Sequence, residues 1–248
     1  MDQQEPIQTE YDEIDLMDYI KVLIKRKWLI LVIFFVAAIA AGIFSFLMPK
    51  VYRIDTSLEI GKIADGKIEN PSQVIEKIKG DVYGILTREK LGISEEKYPK
   101  IKVENPKDTG LIKMEIESAN PELAKNILTE INELILKEHQ EQFDKKKAKI
   151  EESIKEIQAE LSLVEKQKIY ADESIAQLQI TLSNLKSEMS AAEPTKILKN
   201  PTISAEPIKP RPLLNIVIAA VLGLFVGVFW AFFQEWWQKS KPNLDKKT

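Results

Sequence analysis

No cysteine occurs among the 248 residues, which excludes disulfides, thiolate metal sites and a thiol nucleophile. Histidine is nearly absent too: His139 is the sole one, so a multi-histidine metal site is ruled out. A lone histidine in a polar helical stretch is expected at the surface, and the run from His139 to Lys149 reads as a solvated face. The net charge is only -3, with both signs interspersed, which gives no electrostatic footprint for nucleic acid. Paired carboxylates such as Glu95-Glu96 and Glu151-Glu152 lie in charge-rich stretches without the apolar surroundings that shift an acid toward catalytic use. No catalytic, cofactor or metal site is expected, and the chain is not expected to be an enzyme.

Charge is missing altogether from two runs, Trp28 to Leu47 and Leu213 to Phe233. Each is about 20 residues, roughly 30 Å of helix, enough to cross a bilayer. The first run is too long and too far along for a signal peptide's apolar region, and Phe46-Leu47-Met48-Pro49 is no small-residue cleavage site. The second ends among Trp230, Trp236 and Trp237, as a span with an interfacial aromatic belt does rather than a buried core helix. Lys21, Lys25, Arg26 and Lys27 precede the first span, and Lys239, Lys241, Lys246 and Lys247 follow the second, which predicts both termini in the cytoplasm. Within the spans, Ala219, Gly223, Gly227 and Ala231 form a small-residue face, and Ala38 with Gly42 form a similar spot in the first. Such faces let helix backbones approach closely.

Basic residues are absent from the first 20 positions, where Asp2, Glu5, Glu10, Asp12, Glu13, Asp15 and Asp18 predict a largely unstructured lead. Its end, Ile14 to Leu23, carries apolar residues at helical spacing and predicts a short amphipathic helix along the inner leaflet. Beyond the first span, Tyr52, Ile54, Thr56, Leu58 and Ile60 alternate with polar residues, the pattern of a half-buried strand. Asn70-Pro71 predicts a helix start, Val74, Ile75, Ile78, Val82 and Ile85 continue it, and Gly92 closes it. Ile101 to Val103 and Ile112 to Ile116 predict two further strands, which makes a small β-α-β-β base.

Glycine and proline then vanish from Glu122 to Ala192, after the helix-start pair Asn120-Pro121. Ile150, Ile154, Ile157, Leu161 and Val164, then Ala171, Ile175, Leu178, Leu182, Leu185 and Met189, step by threes and fours as coiled-coil seams do, with Lys168 the polar intruder. An unbroken rod of about 70 residues would end roughly 105 Å away. The 20 or so residues left before the second span reach only about 70 Å when extended. The helix is therefore expected to fold back near Ile169 to Ser174, with Asp172 as cap, unless it lies flat. The arms' remaining apolar stripe invites oligomers. Thr202 to Ala205 is expected to add an edge strand, and Pro201, Pro207, Pro210 and Pro212 to stiffen an extended return.

The predicted class is an α+β membrane protein in which two spans flank an α/β base with a long helical hairpin. The expected divisions are a cytoplasmic segment 1–27, a span 28–47, the base 48–119, the arm 120–192, a Pro-rich return 193–212, a span 213–233 and a cytoplasmic tail 234–248.

In order along the chain, Glu13-Ile14-Asp15-Leu16 before the basic run, Met48-Pro49-Lys50-Val51-Tyr52, Thr109-Gly110-Leu111-Ile112, Asn120-Pro121-Glu122-Leu123-Ala124 and Ala205-Glu206-Pro207-Ile208-Lys209-Pro210 resemble the chain-length determinant (Wzz-type) family of polysaccharide co-polymerases. The resemblance implies a bacterial inner-membrane protein with its central domain in the periplasm. It also implies a ring- or bell-shaped homo-oligomer that works with a membrane polymerase and a glycan growing on a lipid carrier. The product regulated would be lipopolysaccharide O-antigen, capsule or exopolysaccharide. The external domain is shorter than in typical O-antigen regulators. Some relatives carry a cytoplasmic tyrosine kinase, but no Gly-x-x-x-x-Gly-Lys-Ser/Thr occurs here, so this chain is not expected to be a kinase. The alternative reading is a transmembrane activator of a separate tyrosine kinase, docked through Gln238 to Thr248.

Overall fold

The structure is a computed structural model that describes residues 16–64, 66–167 and 172–240. It divides into two compact units, one from the chain's two ends and one comprising Lys50–Lys209.

The first unit holds α1 (Leu16–Lys25), α2 (Lys27–Leu47) and α7 (Pro212–Ser240). The short α1 overlaps the amphipathic stretch predicted from Ile14 to Leu23, and it runs into α2 through Arg26, whose carbonyl accepts from the Leu29 and Ile30 amides. Among the described residues, α2 and α7 are the two helices long and apolar enough to cross a membrane. Pro212 opens α7, where a missing N–H and a fixed φ cost nothing.

In the second unit, β1 (Tyr52–Glu59), β4 (Ile101–Glu104), β5 (Leu111–Ser118) and β6 (Lys196–Ile203) form one antiparallel sheet in the order β4-β5-β1-β6. Period-2 alternation buries Ile54, Thr56, Leu58, Ile112, Met114 and Ile116 on one face and leaves the other charged. Across the buried face lies α5 (Pro121–Gln167), started by Asn120, whose side-chain oxygen accepts from the Leu123 amide at 3.2 Å. Its Ala124, Ile127, Leu128, Ile131 and Ile135 recur at helical spacing and are fully buried against the sheet, the isoleucines and the leucine each worth about 2 kcal/mol of burial. The distal part of α5 packs on α6 (Asp172–Ser190); Leu161 and Val164 of α5 are buried there, and Ile175, Leu178, Leu182, Leu185 and Met189 form a half-buried row along α6. Residues 168–171, where Lys168 and much of the expected turn fall, lie outside the described residues, as does most of the acidic lead.

Four expectations need correction. The predicted helix from Val74 to Ile85 is two, α3 (Pro71–Lys79) and α4 (Val82–Leu91), broken at Gly80 and at Asp81, which sits at a left-handed φ of 62°. Between β1 and α3 the chain makes a small hairpin, β2 (Lys62–Ile63) with β3 (Gly66–Lys67), that no alternation announced because each arm is two residues long. The return strand is longer than Thr202 to Ala205 and begins at Lys196; Pro201 sits inside it at a register shift, where a residue lacking N–H is tolerated at a sheet edge. Finally, His139 is not a surface residue but is 0% exposed, and Phe143 beside it belongs to the core. The rest of the run, from Gln140 to Lys149, is exposed as expected apart from Phe143 and the half-buried Gln142; His139 differs because both its ring nitrogens have partners inside, which composition does not show.

Candidate functional site

The candidate site is taken where the chain's own elements are brought into specific contact. Antiparallel contacts between α2 and α7 run in reverse order along the two helices. A Cβ placed on Gly227 would stand 3.1 Å from the Ile30 Cα, and one on Gly223 would stand 2.8 Å from the Ala37 Cβ and 3.3 Å from the Ile33 carbonyl oxygen. No side chain fits there without moving the partner helix, which is how small residues let two backbones meet. Gly42 faces Ile216 at an ordinary 3.5 Å. Ala231 is fully buried, whereas Ala38 and Ala219 are half-buried.

Polar groups mark the two ends of this contact. At one, the Asn215 amide donates to the Ser45 hydroxyl at 2.9 Å. At the other, Glu235 accepts from Lys25 at 2.9 Å and from Arg26 at 3.4 Å, while Arg26 also donates to Gln238. None of these four contacts was singled out from the sequence. The signal that could have found them is an isolated polar residue inside each apolar run, and opposite charges just outside the runs at the same end. Tyr19 of α1 meets Phe232 edge-on, and Phe233 lies among the exposed rings of Trp230, Trp236 and Trp237.

The proline positions have separate roles. Pro201 is buried within β6, Pro207 is exposed, Pro210 is half-buried and Pro212 starts α7. Past β6 the chain still follows β1, since the Ser204 amide donates to the Arg53 carbonyl and the Ile208 amide to the Val51 carbonyl, both at 2.8 Å. Lys209 reaches Glu117 at 2.7 Å beside Lys102 at 2.6 Å. Hydrogen bonds from these two lysines pull the Glu117 carboxyl down to about 2.

On the buried side of the same unit, a polar chain runs from sheet to helices. Lys77 bridges Glu69 at 2.8 Å and Glu138 at 2.7 Å, and the Tyr83 hydroxyl donates to Glu138 at 2.7 Å. His139 contacts Glu69 at 3.2 Å and Thr195 at 2.9 Å. Burial and the Glu138 carboxylate together push the Tyr83 hydroxyl far above its ordinary range, so it remains a donor. Among the described residues no group of three or more acidic or histidine side chains is arranged to hold a metal ion.

A family comparison bears on the first third of the chain. Residues 12–87 match the Wzz family, chain length determinant protein. That stretch covers α1, α2, β1, the small hairpin, α3 and the first part of α4, and it meets the resemblance read in the sequence. Among solved structures, the chain is similar to a full-length bacterial polysaccharide co-polymerase at 14% identity, over 94% of this chain and 100% of that one, with a TM-score of 0.45. It is also similar to a fragment of WzzB, a polysaccharide co-polymerase from Salmonella Typhimurium, at 13% identity, over 65% of this chain and 100% of that one, with a TM-score of 0.32. A comparison with curated proteins finds no match.

Proposed function

We propose that this chain is a non-enzymatic regulator of chain length in bacterial surface-polysaccharide biosynthesis, acting as a homo-oligomeric co-polymerase. The observation that carries the reading is the match of residues 12–87 to the chain length determinant family. The two apolar helices support anchoring in the cytoplasmic membrane with both termini inside and residues 50–209 outside. The long α5–α6 hairpin, with Leu163 and Ile180 exposed, supports side-by-side packing of identical protomers. Control is then geometric: the assembly holds a membrane polymerase near a glycan on its lipid carrier and sets when extension stops.

The test is the length distribution of surface polysaccharide on a gel, comparing a deletion strain with one re-expressing the chain. A modal band that vanishes and returns is expected. Unchanged banding overturns the reading. The small-residue contact supplies a second arm: Gly223→Leu with Gly227→Leu is expected to shift the modal length or abolish co-recovery of the polymerase. Unchanged length and unchanged recovery would remove the spans from the mechanism.

A further inference from the structure

Among the described residues of Lys50–Lys209, the large apolar side chains left exposed are Val82, Ile85, Leu86 and Leu91 of α4, Leu163 and Ile180 of the α5–α6 hairpin, and Leu198 of β6. Most of them therefore fall on one short helix. Val82, Ile85 and Leu86 stand at i, i+3 and i+4, so they share a face, and they are 48%, 55% and 47% exposed. That face is turned away from the buried Tyr83, Gly84 and Thr87 of the same helix. Val82 and Ile85 continue the helical spacing of Val74 and Ile78, but past the break at Gly80 and Asp81 they leave the core that those two enter. A contiguous apolar face on a water-exposed helix marks an interaction surface.

Its own contacts fix the level and the flank of this face. The Tyr83 hydroxyl donates to Glu138 at 2.7 Å and Lys90 to Glu130 at 2.6 Å, so α4 lies along residues 130–138 on one side of α5. On the other side of α5, the Asn132 amide donates to the Thr56 hydroxyl at 2.9 Å, and Thr56 donates to the Lys199 carbonyl at 2.7 Å. Those bonds place β6, the far edge strand in the order β4-β5-β1-β6, at the same level on the opposite flank. Leu198, beside Lys199 at a register shift, is 51% exposed there. Leu136, one turn beyond Asn132, is half-buried outside the core cluster.

We propose that the Val82, Ile85 and Leu86 face of α4 docks on the Leu198 flank of a second copy of this chain, head to tail. The contact rests on the homo-oligomeric reading above and names surfaces that carry it. Val51 and Lys209 are joined by backbone hydrogen bonds of 2.9 and 3.4 Å, so both chain connections leave the unit at one end. Copies tethered at that end share one direction, and only surfaces at matching levels meet. The α4 face and Leu198 match in level and lie on opposite flanks, the arrangement that a head-to-tail contact repeats from copy to copy. Charge favours this pairing over α4 against α4. Exposed Glu89 continues the α4 face, at i+4 from Ile85, whereas the half-exposed Lys196 and Lys199 border Leu198. Like faces would set carboxylate against carboxylate, and unlike faces bring opposite charges together. Both lysines already pair with Glu59 and Asp55 of their own chain, so they select the partner more than they strengthen the contact. Few side chains take part, fewer than supply the about 800 Å² per partner of a stable free pair, which suits copies already concentrated in one membrane.

The test uses the full chain in bacterial membranes. The sequence has no cysteine, so introduced thiols are the sole ones. Ile85→Cys with Leu198→Cys in one chain is expected to give, on mild oxidation, a series of disulfide-linked dimers, trimers and larger species, because each copy meets two neighbours. Either single variant is expected to stay unlinked, and the two co-expressed single variants are expected to give dimers alone. Native mass spectrometry of the detergent-solubilised native chain reads self-association independently. Ile85→Asp and Leu198→Asp change exposed positions, and circular dichroism checks that both fold. Each is expected to weaken self-association about tenfold or more, and their mixture is expected to recover pairs through the one intact contact. A dimer from either single-cysteine variant, unweakened association in the folded aspartate variants, or a native oligomer that the double variant fails to link overturns the head-to-tail contact and leaves the homo-oligomeric reading in place. A native chain that runs as a monomer overturns both, while the polysaccharide banding still tests chain-length regulation separately.

Discussion

Between α2 and α7 the contact residues are Gly42, Gly223, Gly227 and Ala231, whereas between α5 and the sheet they are Ile127, Leu128, Ile131 and Ile135 against Ile54, Leu58, Ile112 and Met114. The solvents explain the contrast. In water, removing large apolar side chains from contact is itself the driving force, at about 25 cal/mol per Å². In lipid, a leucine gains nothing by leaving the hydrocarbon, and association rests on close packing and on polar pairs such as Asn215 with Ser45. One chain therefore carries two opposite rules for what belongs at an interface.

The largest effect that separates the rules is in the water-exposed unit. Ile131→Ala, which empties a fully buried site, is expected to cost about 2–5 kcal/mol, whereas Ile180→Ala, at a 54% exposed site, is expected to change stability by about 0.5 kcal/mol or less. Far-UV circular dichroism during thermal unfolding of the detergent-solubilised chain reads both. Similar losses for the two variants would mean that α6 is buried to the same degree as α5.

Next comes enlargement in the spans. Gly227→Leu is expected to cost about 1–3 kcal/mol by overpacking against Ile30. Gly42→Ala is expected to be near neutral, because its new carbon meets Ile216 at 3.5 Å, whereas Gly223→Ala must displace Ala37 from 2.8 Å. All four tryptophans, Trp28, Trp230, Trp236 and Trp237, lie in the span unit, so tryptophan fluorescence reports it selectively. Equal tolerance of alanine at Gly42 and Gly223 would refute close backbone contact at Gly223.

The same contrast explains what could be read from the chain directly. Spans, the alternation of Ile54, Thr56 and Leu58, and the Asn120-Pro121 helix start are written in one-dimensional patterns of polarity and caps, and the structure contains them. The β2–β3 hairpin is too short to generate a period, and the α3–α4 break rests on Asp81 adopting a positive φ, which an aspartate does not advertise as a glycine would. His139 was misplaced for a deeper reason. Its partners Glu69 and Thr195 are 70 and 56 residues away, so no local window shows that this polar side chain is satisfied inside. Ser45 and Asn215 are hidden in the same way, 170 residues apart.

A smaller effect isolates the polar part of the span contact. Ser45→Ala removes the acceptor of the Asn215 amide, and interhelical hydrogen bonds in membranes average about 0.6 kcal/mol. Thermal midpoints by tryptophan fluorescence should show a loss of that size, and one far above it would mean that Asn215 has no other partner to turn to.

The smallest expected effect lies on the charged face of the sheet, where Glu117 is held by Lys102 and Lys209. The two lysines hold its carboxyl near about 2 rather than 4.5. The sign is that of an acid depressed by folding: its contribution is fully present above about 4.5 and is lost as pH falls from there through about 2. Exposed pairs of this kind contribute little to stability, so the shift should be visible in the titration before it is visible in a melting curve. Carboxyl 13C resonances of the full chain would follow Glu117 directly, and with Lys102→Gln and Lys209→Gln its midpoint should rise toward the ordinary glutamate range. A midpoint unmoved by the double substitution would assign the depression to something other than the lysines, and with it would go the contrast between a charged, self-paired face of the sheet and the apolar face packed on α5.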